Sequence, residues 1–111
     1  MTGLPDIALD FARSCIGWED CDIGATKPLI VGPQESFAYT DLRAVLEAAS
    51  RWVAFKAESV GIHSYEGGFF IGVVIAYGVT LGSTVSSCPC EALMGACLAA
   101  AKVLDAQGAG V

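Results

Sequence analysis

The stretch Phe69-Phe70-Ile71-Gly72-Val73-Val74-Ile75-Ala76 constrains this chain more than any other segment. It is rich in β-branched and aromatic residues, which suit a pleated strand. Successive side chains of a strand point to opposite faces. Phe69, Ile71, Val73 and Ile75 therefore share one face, and Phe70, Gly72, Val74 and Ala76 share the other. An antiparallel strand with one wet face alternates apolar and polar residues, and this one does not. Both faces are expected to be covered, by helices on each side or by helices on one side and a second subunit on the other. The apolar run Phe69 to Leu81 is broken by Gly72 and Gly78 and is shorter than the roughly 20 residues of a membrane helix. It reads as two buried strands.

The flanking sequence completes a meander. Val60 to Tyr65 is a first candidate strand and Val79 to Ser86 a third. Glu66-Gly67-Gly68 and Tyr77-Gly78 are the turns, since glycine supplies the positive φ of tight hairpins. In the third strand Val79, Leu81 and Val85 fall on one side, with Thr80, Gly82 and Thr84 on the other.

Three helices are predicted around this meander. Pro5 suits a first helical turn, and Ile7, Ala8, Phe11, Ala12 and Cys15 recur at helical spacing up to Gly17. A second helix, capped by Thr40 or Asp41, carries the apolar stripe Leu42, Val45, Leu46, Ala49, Trp52 and Val53. Arg43, Glu47 and Arg51 lie opposite at i, i+4 spacing, and the helix ends near Glu58. The third starts at Ser87 or Cys88, with Pro89 in its first turn and Leu93, Ala96, Cys97, Ala100, Val103 and Leu104 facing inward. Gln107 to Val111 reads as a frayed tail. Between the first two helices, Pro28 and Pro33 bracket Leu29-Ile30-Val31, which predicts an extended segment rather than a central strand. The reading is one α+β domain over residues 1–111, a three-stranded antiparallel β-meander packed with about three helices in the order α-α-β-β-β-α.

Composition narrows the functional classes. The chain is 54% apolar and only 16% charged, which excludes a disordered chain. Twelve acids face six bases, a net charge of −6. That disfavours direct binding to nucleic acid or an anionic membrane and permits a basic protein partner. The cysteines are Cys15, Cys21, Cys88, Cys90 and Cys97, an odd number, and Met1 to Asp10 has no basic secretory leader. Reduced thiols and a cytoplasmic location are expected.

No motif carries recognisable catalysis. Cys88-Pro89-Cys90 has one intervening residue where zinc knuckles have two to four, and no second pair follows. The C-x-x-C redox spacing is absent. His63 is the single histidine, and nothing places a nucleophile on a sharp turn beside it. Gly67, Gly68 and Gly72 do not form a phosphate loop. No catalytic residue, metal ligand set or cofactor is expected. The acids are more suggestive. Asp6 and Asp10 share a helix face, and Glu19, Asp20 and Asp22 follow Trp18. These five acids stand against Arg13 alone. They read as a solvated edge or as a surface for a basic protein anchored by Trp18. Asp6, Asp10, Trp18, Glu19, Asp20 and Asp22 are thus the candidate protein-binding residues. A calcium-type Asp-x-Asp-x-Asp-Gly loop is absent.

Three segments carry a family resemblance. Ala12-Arg13-Ser14-Cys15-Ile16-Gly17-Trp18 ends a helix in a Gly-Trp pair. Tyr39-Thr40-Asp41-Leu42 leads into an alanine-rich helix with Trp52. Cys90-Glu91-Ala92-Leu93-Met94-Gly95-Ala96-Cys97-Leu98-Ala99-Ala100 closes the chain after the meander. Together they resemble the small phage and prophage proteins of the phage ABA-sandwich family. The uncharged strands and the long Gly/Pro loop before the second helix depart from that pattern. The resemblance implies a phage or prophage origin and transfers no catalytic residue. Small acidic phage proteins include inhibitors of host defence such as anti-CRISPR proteins, which occupy basic nucleic-acid grooves. The expected function is therefore an inhibitor that binds a basic host protein or nucleoprotein effector. The alternative is a homodimeric structural or assembly module without catalytic activity.

Overall fold

The computed structural model is organised around its last helix. It describes residues 3–24, 26–33, 35–56, 59–76 and 78–109, the side chains of 52–56 and 105–109 excepted. In chain order the elements are α1 (Leu4–Phe11), a π-helical extension (Ala12–Ile16), β1 (Asp22–Ile23), β2 (Leu29–Val31), β3 (Ser36–Ala38), α2 (Leu42–Lys56), β4 (Ser59–Tyr65), β5 (Phe69–Ala76), β6 (Val79–Ser86) and α3 (Pro89–Ala109).

The fold is α+β, with two three-stranded antiparallel sheets rather than one. The expected meander is present as β4-β5-β6, with Gly67, Gly68 and Gly78 at positive φ in its turns. The second sheet, β1-β2-β3, lies in the segment expected to be turn-rich, with one extended stretch at Leu29-Ile30-Val31. Leu29-Ile30-Val31 is its central strand, which corrects the reading from the bracketing prolines. Pro28 and Pro33 stand just outside the strand, so neither removes a donor from the ladder.

The helix ends follow local chemistry. Gly17 stops the first helix at φ 87°, and its N–H reaches back to the Ala12 carbonyl at 2.9 Å. Asp41 caps α2, its Oδ1 accepting the Arg43 N–H at 3.0 Å. The Cys88 carbonyl accepts the Ala92 N–H at 3.0 Å and opens α3. α3 continues to Ala109, through much of the stretch expected to fray. Of the predicted α2 stripe, Val45 and Ala49 are buried, whereas the side chains of Trp52 and Val53 lie outside the described residues.

α3 is the middle layer. Cys90, Ala92, Leu93, Met94, Ala96, Cys97, Ala100 and Ala101 are all buried, which places apolar residues around most of its circumference. One side packs on β5 and β6, and the other meets α1 and α2. Val103, expected in the core, is 37% exposed. The approach to the sheet is close enough to require glycine. A Cβ at Gly72 would run into the Ala92 carbonyl, and one at Gly82 would run into Ala96 and Ala100. On the far side of α3, Phe11 meets Phe37 edge to face at 6.1 Å, tying α1 to the small sheet.

Candidate functional site

Three surfaces can be built from these elements. The first is the outer face of β4-β5-β6. Cross-strand pairing sets its rows as Tyr65 beside Phe69, His63 and Val85 flanking Ile71, Gly61 and Ser83 flanking Val73, and Ser59 and Thr80 flanking Ile75. No Asp, Glu, Lys or Arg occurs in any of the three strands. Tyr65, Phe69 and Val85 are 56%, 51% and 60% exposed, and Ile71, Val73 and Ile75 are half-buried. Of the two arrangements expected for this sheet, helices on each side does not hold among the described residues, where only the inner face is covered. The physical reason is that α1 and α2 pack behind α3 instead of crossing the sheet. A register shift near Val74 and Ile75 also corrects the alternation expected of β6. It sets Thr80 opposite Ile75 and Val79 opposite Ala76, so Val79 and Val85 no longer share a side.

The second surface is the acidic N-terminal segment. Asp6 and Asp10 are exposed on α1, Glu19 and Asp20 on the bend after Gly17, and Asp22 at the start of β1. Among the described residues none of these carboxylates is ion-paired. The Asp22 Oδ1 accepts the neighbouring Ile23 N–H at 2.8 Å. Trp18 is placed differently from the acids. Its ring lies against Gly32 and tilts over Phe37 at 5.9 Å, so it is half-buried and packed into the fold.

The third surface is a cleft of about 500 Å³ between β3, α2 and the end of the first helix. Cys15, Trp18, Phe37, Ala44 and Ala48 line its apolar wall. Glu35, Glu47 and Arg51 line it as well and form an ion network. The Arg51 Nη1 reaches Glu35 Oε1 at 3.3 Å and the Nη2 reaches Glu47 Oε1 at 2.9 Å. The volume lies within the usual range of small binding sites, about 300–1,000 Å³. Sequence reasoning missed this cleft because its walls come from three separated segments. The available signal was the run Ala44, Glu47, Ala48, Arg51 at i, i+3, i+4, i+7, beside the core stripe of α2.

The thiols lie in two neighbouring pairs, Cys88 beside Cys90 and Cys15 beside Cys97. None of the five cysteines forms a disulfide. Burial, with Cys88 and Asp41 adding to it, pushes the Cys90 thiol up to about 11. Burial also pushes Cys97 well above the ordinary thiol range. Both therefore stay protonated at neutral pH and are poor nucleophiles. His63 stands exposed opposite Ile71, its ring without a hydrogen bond among the described residues. No group of three or more His, Cys, Asp or Glu among the described residues has the proximity to hold a metal ion. No described helix is long and apolar enough to cross a membrane.

A scan against protein-family models found no match, and searches of curated proteins and of solved structures found no similar protein.

Proposed function

We propose that this chain is a non-catalytic protein-binding module that works as a homodimer, closed face to face through the outer surface of β4-β5-β6. The observation that carries this reading is the combination of apolar rows and complete absence of formal charge on that face. Tyr65, Phe69 and Val85 are each more than half exposed beside the half-buried Ile71, Val73 and Ile75, and contiguous exposed apolar surface of this kind marks interaction sites. A second copy fits the charge pattern. Two chains of net charge −6 repel each other, and a contact through an uncharged face keeps the acids apart. The same patch on both copies satisfies a two-fold axis, and stacked sheets pack about 10 Å apart.

Sedimentation equilibrium tests this directly. A dimer is expected at micromolar concentration, and Val73→Lys, which sets two cations near the axis, should return it to monomer. A wild-type monomer at several hundred micromolar would rule the dimer out.

The acidic segment favours a second, compatible reading. Asp6, Asp10, Glu19, Asp20 and Asp22 are all exposed, and none is ion-paired among the described residues. Together with the resemblance to phage ABA-sandwich proteins, this supports an inhibitor of a bacterial defence complex, anti-CRISPR-like. Its carboxylates would occupy Lys/Arg that otherwise hold phosphate. Trp18 would contribute by holding the segment in place rather than by inserting into the partner. Capture from a bacterial lysate should retain a basic effector at low salt and release it at high salt. Unchanged capture after reversing Glu19, Asp20 and Asp22 to Lys would count against the acidic mechanism.

A further inference from the structure

We infer that the cleft between β3 and α2 is a site for an extended peptide, which adds a fourth strand to the small sheet at β3. The pairing pattern shows which backbone groups are left over. The Gly32 N–H donates to the Glu35 carbonyl at 2.7 Å, and the Tyr39 N–H to the Pro28 carbonyl at 3.1 Å. Residues 35, 37 and 39 therefore turn their backbone groups toward β2. By alternation Ser36 and Ala38 turn theirs away from it. β3 is an edge strand, and both of these residues line the cleft. The Ala38 carbonyl already accepts the Asp41 N–H at 3.1 Å. Among the described residues the Ser36 N–H, the Ser36 carbonyl and the Ala38 N–H have no backbone partner, and they remain as a short template for an added strand.

The cleft sets the ligand's side chains. Trp18, Phe37, Ala44 and Ala48 offer an apolar wall for one aliphatic residue. Glu35 and Glu47 share the single cation Arg51, which leaves one negative charge in excess. The matching ligand is an extended peptide with a central apolar residue flanked by Lys or Arg. A small apolar molecule would fill the wall but leave the three backbone groups of β3 unpaired. This site shares no residue with the outer face of β4-β5-β6, so it stands or falls separately from the dimer.

The test uses fluorescein-labelled Lys-Val-Leu-Val-Lys, capped at both ends, with fluorescence anisotropy and amide hydrogen exchange. Saturating peptide should slow exchange at the Ser36 and Ala38 amides. N-methylation at alternate positions should abolish binding in one parity and spare it in the other. Ser36→Pro removes the outward N–H but keeps the ladder to β2, and should weaken binding roughly tenfold or more. Ala48→Trp fills the apolar wall and should do the same, with exchange at β5 reporting that the fold is intact. No binding at millimolar peptide, unchanged exchange at Ser36 and Ala38, or equal binding of both N-methylated peptides would each overturn the inference.

Discussion

β5 presents two apolar, uncharged faces that meet opposite fates. On its inner face Gly72, Val74 and Ala76 are buried under α3 and Phe70 is half-buried. Its outer face, Phe69, Ile71, Val73 and Ile75, is met by no described element of the chain and runs from half-buried to exposed. The apolar character of a strand thus says that a face prefers cover, but not where the cover comes from. Steric detail separates the two. The inner face contains Gly72 and, from β6, Gly82, both pressed against helix backbone, whereas the outer face contains Gly61 in open surroundings.

The sharpest way to break that contrast is to place the same methyl group on each side. Gly72→Ala or Gly82→Ala should each destabilise the protein by about 3 kcal/mol, because backbone atoms of α3 cannot yield without shifting the helix. Gly61→Ala should instead be neutral or stabilising by about 0.5 kcal/mol, since the nearest atom to its Cβ is Val73 Cγ2 at 3.9 Å. Urea unfolding of the three variants checks both directions. A loss for Gly61→Ala as large as for Gly72→Ala would mean that the outer face is not open.

The thiols of α3 extend the comparison to pH. The folded Cys90 thiol titrates at about 11 against an ordinary 9.0. The unfolded chain therefore loses its proton first as pH rises. Stability should be full below pH 9 and decline from pH 9 toward pH 11, by an amount on the order of 2 kcal/mol. Cys97 acts in the same direction. Urea midpoints measured across this window check the sign, and a rise in stability over the window would contradict the burial of these thiols.

On the outer face a polar exchange should affect association more than folding. Ile71→Thr should cost the monomer about 1 kcal/mol, while weakening the dimer roughly tenfold. Concentration-dependent sedimentation separates the two effects. The smallest change belongs to the rim of the cleft. Arg51→Ala removes two pairs whose side chains are about 60% exposed, and should shift stability by no more than about 0.5 kcal/mol. A larger thermal shift would mean that the network holds β3 against α2.

Much of the framework was legible along the chain. β5 and β6 coincide with their predicted bounds, and β4 begins one residue earlier than predicted. Periodicity and turn glycines are local signals, so they survive without tertiary context. The small sheet was not legible. β1, β2 and β3 are two or three residues long, too short for alternation to register, and they exist through pairing with one another. The exposed acids were legible as acids, but the role of Trp18 was not. Its place against Gly32 and Phe37 depends on the chain returning to it from the small sheet.

The amino-acid sequence by itself determined the long strands and their turns, the helix caps, the net negative charge and the absence of charge from β4, β5 and β6. Each of these depends on a residue and its near neighbours. Tertiary structure decided that α3 becomes the middle layer, that no described element covers the outer face of β4-β5-β6, and that β3 and α2 enclose a cleft. Those outcomes depend on which apolar surface wins the competition for α3. Gly72, Gly82 and Gly95 let helix and sheet approach more closely than the outer face would allow, and no local pattern encodes that choice.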